Sequence, residues 1–259
     1  MVYTGRMRYS ACLAALGALM ATVAMAQPAD PVARARAILD EIDDLWRGES
    51  SRALVAMTVT TSHYTRRLLM EGWSKGKDNS LVVIREPLKE RGVATLKTGE
   101  TVYSYLPKTD RAIRLTAGMM MGSWMGSHFT NDDLVKESRL SGDYDPVISF
   151  EGERGGRRII EFTLTPRPEA PVVWGKIVIE AYADTKLPIV SVYFDEDGQV
   201  ARTMTFSNIR KIGGRLMPGL MRVVPADKPE ESTELEYREI EFDLPLGDEF
   251  FSLSNLKRG

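Results

Sequence analysis

The sequence predicts a mainly β protein with a few helices, built as an open, incomplete antiparallel β-barrel. Three observations predict it. A helical repeat near the N-terminus gives way at Gly48 to a two-residue period. The extended runs that follow are short and joined by turn residues, as in an antiparallel meander. Strands and helices do not alternate, which removes the crossovers a parallel sheet needs. A large antiparallel sheet that curls must close or cover its edges, so helices are expected to pack into its mouth.

The helix comes first. Asp30-Pro31 can cap and open it, and Ala35, Ile38, Leu39, Ile42, Leu45 and Trp46 then recur at helical spacing before Gly48. The expected helix is residues 33–46, packed on one face of the sheet. Strands are expected over residues 54–60, 66–74, 81–85, 93–97, 101–106 and 112–115. A second series covers 147–152, 158–165, 175–183, 189–194, 200–208, 220–224 and 233–242. Pieces such as Lys75-Gly76-Lys77-Asp78-Asn79 and Pro107-Lys108-Thr109-Asp110 supply the turns. No linker or internal repeat divides the chain, so residues 27–259 read as one domain.

Residues 1–26 read as a signal peptide. Arg6 and Arg8 precede an apolar run from Ala11 to Ala24, and Ala24-Met25-Ala26 is a small-x-small cleavage site before Gln27. The run is too short for a comfortable membrane span. The expectation is export to the periplasm and a soluble product after cleavage near Ala26, with no stable membrane anchor. Cys12, the one cysteine, would leave with the leader, taking with it any disulfide, thiol nucleophile or cysteine metal site.

The 259 residues are 43% hydrophobic and 27% charged with a formal net charge of −2, which fits a globular protein and gives no basic balance for nucleic acid. The histidines are His63 and His128. With neither a His-based constellation nor paired carboxylates, no catalytic residue, metal or cofactor is assigned, and the chain is expected not to be an enzyme.

The candidate site is the segment between the two strand series. Met119, Met120, Met121, Trp124, Met125 and Phe129 crowd into eleven residues, with Gly118, Gly122 and Gly126 spaced four apart. Flexible, polarizable methionines suit varied apolar ligands. The segment is read either as a lid or lining for an acyl chain, or as a core plug. Trp73, Tyr103, Tyr105 and Phe206 are candidate wall residues. A Cu(I) site from Met121, Met125 and His128 is a third reading, carried by one loose match to thioether spacing. After the segment, Asn131, or Thr130 with Asp133 as reciprocal partner, is expected to cap a short helix to Arg139. Elsewhere, His63 reads as a solvated turn residue. Asp195-Glu196-Asp197-Gly198 reads as a hairpin turn and not a calcium loop. Gly72 to Lys77 is one residue short of a phosphate loop and precedes no helix.

Three stretches, taken in order, carry a family resemblance: Leu96 to Pro107, Met119 to Leu134, and Phe250-Phe251-Ser252-Leu253-Ser254-Asn255-Leu256. With the leader, helix and two meanders, they resemble the outer-membrane lipoprotein-sorting proteins of the LolA/LolB-like superfamily. The resemblance implies an open barrel with a helical lid over an apolar cavity. It also implies a role as carrier of lipid or lipoprotein acyl chains toward the outer membrane. Without a mature cysteine, the chain resembles the soluble carrier and not the lipid-anchored receptor. The carrier's lid is held by a strand arginine, whereas Trp73 to Leu81 here offers Lys75 and Lys77. The implied partners are an acylated lipoprotein or another lipid, and an inner-membrane transporter. The alternative is a lipid- or peptide-binding periplasmic sensor or adaptor of a membrane protein or exporter.

Overall fold

The structure is a computed structural model that describes residues 1, 30–136, 140–168, 170 and 172–256. The expected leader and its cleavage site lie outside the described residues. Among the described residues no helix is long and apolar enough to cross a membrane.

Helix α1 (Pro31–Asp43) opens as expected, with the Asp30 side chain accepting from the Val32 N–H. It stops three residues short of the expected end. The Asp44 carbonyl accepts from the amides of both Arg47 and Gly48, which turns the chain out of the helix. Trp46 therefore leaves the helical face and packs its ring against Phe206 and Tyr237.

The first strand series is β1 (Ser50–Thr60), β2 (Thr65–Lys75), β3 (Asn79–Glu86), β4 (Ala94–Thr98), β5 (Thr101–Leu106) and β6 (Arg111–Arg114). The short helices α2 (Asn131–Lys136) and α3 (Leu140–Asp143) follow. The second series is β7 (Tyr144–Arg154), β8 (Arg157–Pro166), β9 (Lys176–Tyr182), β10 (Pro188–Phe194), β11 (Val200–Ile212), β12 (Arg215–Pro225) and β13 (Ser232–Phe242). Helix α4 (Leu253–Leu256) ends the described chain. β11 and β12 run longer than expected because one tight turn joins them. Gly213 sits there at φ +57°, where an added Cβ would lie 2.5 Å from the Ile240 carbonyl oxygen.

The thirteen strands form one antiparallel sheet in the order β6-β5-β4-β3-β2-β1-β13-β12-β11-β10-β9-β8-β7. The sheet is unclosed: β6 and β7 are its two edges. Register fixes the faces. Met57 pairs with Leu68 and Leu235, Met204 with Val223 and Ser191, and Ile179 with Phe162, so these side chains share one surface. That surface, with Ala35, Ile38, Leu39 and Ile42 of α1, makes the main core. On the opposite face of the first series, Leu81, Leu96 and Tyr105 are covered by Phe251 and Leu256 of the C-terminal segment.

Candidate functional site

On the core face, beside α1, lies a cavity of about 230 Å³. Val55, Met70 and Val82 from the first series form one wall. Met204, Phe206, Met221 and Leu235 form another, with Ile42 and Trp46 along the side and Trp124 and Phe129 from the Met-rich segment closing over it. Polar wall groups include Asp43 and Arg47 at the end of α1. The Trp46 indole N–H is buried with no acceptor among the described residues.

The Met-rich segment divides in two. From Trp124 onward it is tied down. The Trp124 indole donates to Thr95 Oγ1 on β4 at 3.0 Å, and Arg66 on β2 donates to the Met125 carbonyl at 2.5 Å. That carbonyl belongs to a residue held at φ +50°, a conformation uncommon outside glycine. The His128 amide donates to Thr233 Oγ1. Its ring nitrogens lie 2.8 Å from Thr233 Oγ1 and 3.1 Å from Glu231 Oε2. The His128 contact, with the Ser62 backbone N–H, holds the Glu231 carboxyl below its usual range. Thr130 and Asp133 form the reciprocal cap expected from the sequence: each side chain accepts from the other's amide.

The strongest tie is Arg202 on β11. Its guanidinium donates to both Asp133 oxygens, at 2.6 and 2.7 Å, and lies over the rings of Trp174 and Tyr193. Arg202 and Asp133 are 3% and 5% exposed. Arginines therefore do anchor the segment. They come from β2 and β11, outside the Trp73–Leu81 stretch in which the resemblance would place one.

The first half of the segment is different. Met119 and Met121 are 42% and 58% exposed, and Met120 packs on Val102 and Leu115. None of the three lines the cavity. Of the candidate residues, Trp124, Phe129, Phe206 and Trp73 do line it, although the Trp73 ring also packs on Phe250. Met125 packs against the main core. Tyr103 and Tyr105 do not line the cavity. They share the register of Leu96 and Ala94 and face the C-terminal segment. The Cu(I) reading finds no support in the geometry, since both His128 nitrogens face Thr233 and Glu231 while Met121 points to solvent.

An unclosed antiparallel sheet with α1 and a short-helix cover over a cavity on its inner face defines the LolA-like fold, and solved structures bear this out. A DUF1329 family protein from Desulfovibrio piger matches with TM-score 0.78 at 22% identity, over 88% of this chain and 99% of its own. A domain assigned to outer-membrane lipoprotein sorting, from Vibrio parahaemolyticus, matches with TM-score 0.75 at 21% identity, over 88% and 100%. A LolA superfamily protein from Nitrosomonas europaea matches with TM-score 0.71 at 24% identity, over 84% and 97%. Residues 76–258 match the model of a family described as "Uncharacterized protein", and the chain belongs to that family. No curated protein matches the sequence.

Proposed function

We propose that the chain is a non-catalytic periplasmic carrier that shields an acyl chain of a lipid or lipoprotein on its way toward the outer membrane. The observation that carries this reading is the apolar cavity on the core face, closed over by Trp124 and Phe129. Ligand pockets commonly span about 300–1,000 Å³, so the cavity as it stands suits the end of one chain. Each methylene buried there contributes about 0.8 kcal/mol. A membrane partner that collects or discharges cargo must offset that binding free energy to empty the cavity. Among solved proteins of this fold, one carries a lipoprotein-sorting assignment, which supports a lipidated cargo.

The test is native mass spectrometry of protein purified from periplasm, with Ala53→Trp as the comparison, because Ala53 lines the cavity. Wild-type protein is expected to retain lipid. The variant is expected to lose it while keeping a β-rich circular dichroism spectrum. A folded variant with unchanged lipid would end the proposal. Passage of bound lipid to acceptor vesicles separates a carrier from a sensor, which would hold its ligand.

A further inference from the structure

Surface apolar side chains scattered singly are normal; contiguous ones rimmed by unpaired charge are not. Four of the exposed large hydrophobic residues, Leu106, Ile113, Met119 and Met121, fall within sixteen residues at the β6 edge of the sheet. Register brings them together. Ile113 pairs with Ser104 and Arg111 with Leu106, so Ile113 and Leu106 point to the same face of the β5–β6 hairpin. Val102 and Leu115 lie on that face as well, and Met120 packs on them. Met119 and Met121 flank Met120 in the chain and are exposed, so the apolar surface continues from the hairpin into the Met-rich segment. This is also the face of Thr95, to which Trp124 bonds, so the patch adjoins the cover of the cavity.

The exposed charges of this edge are mostly positive. Lys108 and Arg111, the latter in register with Leu106, are exposed and form no side-chain hydrogen bond or ion pair among the described residues, whereas Arg114 pairs with Tyr103 and lies on the other face. Asp110 is the one carboxylate between residues 106 and 121, and it accepts from the Tyr105 hydroxyl. Free cations beside exposed apolar side chains match an anionic lipid surface, where the side chains enter the headgroup boundary and the cations meet phosphate.

We propose that the β6 edge, with Met119 and Met121, docks on an anionic phospholipid bilayer. The proposal does not depend on what the cavity holds. The test is flotation with vesicles of phosphatidylglycerol mixed into phosphatidylcholine, against pure phosphatidylcholine. Wild-type protein is expected to float with the anionic vesicles and to release as salt is raised. Lys108→Ser/Arg111→Ser is expected to weaken partitioning about 25-fold, at roughly fivefold per cation. Ile113→Asp/Met121→Asp is expected to abolish it. Circular dichroism of both variants verifies the fold, and either one suffices for the test. Equal flotation on neutral vesicles, no flotation of wild-type protein, or undiminished flotation of a folded variant would overturn the proposal. So would a dimer in sedimentation that Ile113→Asp/Met121→Asp dissolves, since the patch would then belong to a second copy of the chain.

Discussion

Residues Met119 to Met121 and residues Trp124 to Asp133 belong to one glycine-punctuated segment, yet they are held in different ways. The first stretch is held through its carbonyls by nearby residues of the same segment: the Gly122 amide and the Asn131 side chain donate to the Met119 carbonyl and the Asp132 amide to the Met120 carbonyl, while two of three methionine side chains face water. The second is fixed by side chains reaching in from β2, β4, β11 and β13. Its apolar residues are buried because polar ones, Arg202 above all, hold the chain against the sheet. Apolar composition alone does not decide burial; the long-range polar anchors do.

Breaking the largest anchor tests the comparison most severely. Arg202→Met leaves the Asp133 carboxylate buried without its partner and is expected to cost about 3–5 kcal/mol in urea unfolding. Adding Asp133→Leu removes the stranded charge and is expected to recover most of that loss. A double variant as unstable as the single would mean that Arg202 acts through its stacking on Trp174 and Tyr193 and not through Asp133.

A smaller, local effect follows from Glu231. Its carboxyl titrates lower in the folded protein than in the unfolded chain, so the unfolded chain takes up the proton first as pH falls. The stabilisation is therefore complete above the ordinary glutamate range and is lost as pH drops through the lowered folded value. Hydrogen exchange at the His128 amide is expected to quicken on going from pH 6 to pH 3, after correction for intrinsic rates. Glu231→Gln is expected to remove most of that pH dependence. Exchange at Met121 serves as the control and is expected to change less.

The smallest effect sharpens the other side. Met121→Ser is expected to change stability by no more than about 0.5 kcal/mol, as at other exposed positions without special contacts. A loss above about 2 kcal/mol in urea unfolding would show that Met121 is packed and that the two stretches are held alike.

Much of the fold was legible because each strand carries a two-residue alternation between turn residues. Ile177, Ile179 and Ala181 on β9 are all buried, as their spacing implies. Strand lengths were less legible: the continuation of β11 and β12 through Gly213 depends on pairing that a local window does not contain. The cavity was legible in part. Phe206 stands out as a bulky apolar residue in a strand, and Trp124 by the apolar crowding of its segment. Tyr103 and Tyr105 alternate just as well, and only the C-terminal segment, far off in sequence, decides which side of the sheet they face. Arg202 was missed because it reads as one more charged residue in a strand. A signal was available, since it shares its register with Met204 and Phe206, and an arginine in an inward register requires a buried partner.

The pairing of β1 with β13 has a kinetic meaning. β1 hydrogen-bonds on one side to its neighbour β2 and on the other to a strand near the end of the chain. The first six strands can form hairpin by hairpin, but until β13 arrives, β1 is a bare edge beside Met57 and Val59. Such an edge templates pairing between chains, and contacts of high sequence separation form slowly. The last long strand thus acts as the keystone of the sheet. A chain nicked or truncated before Ser232 keeps most of its core residues yet exposes its central strand, which makes a ragged C-terminus more hazardous to this protein than a ragged N-terminus.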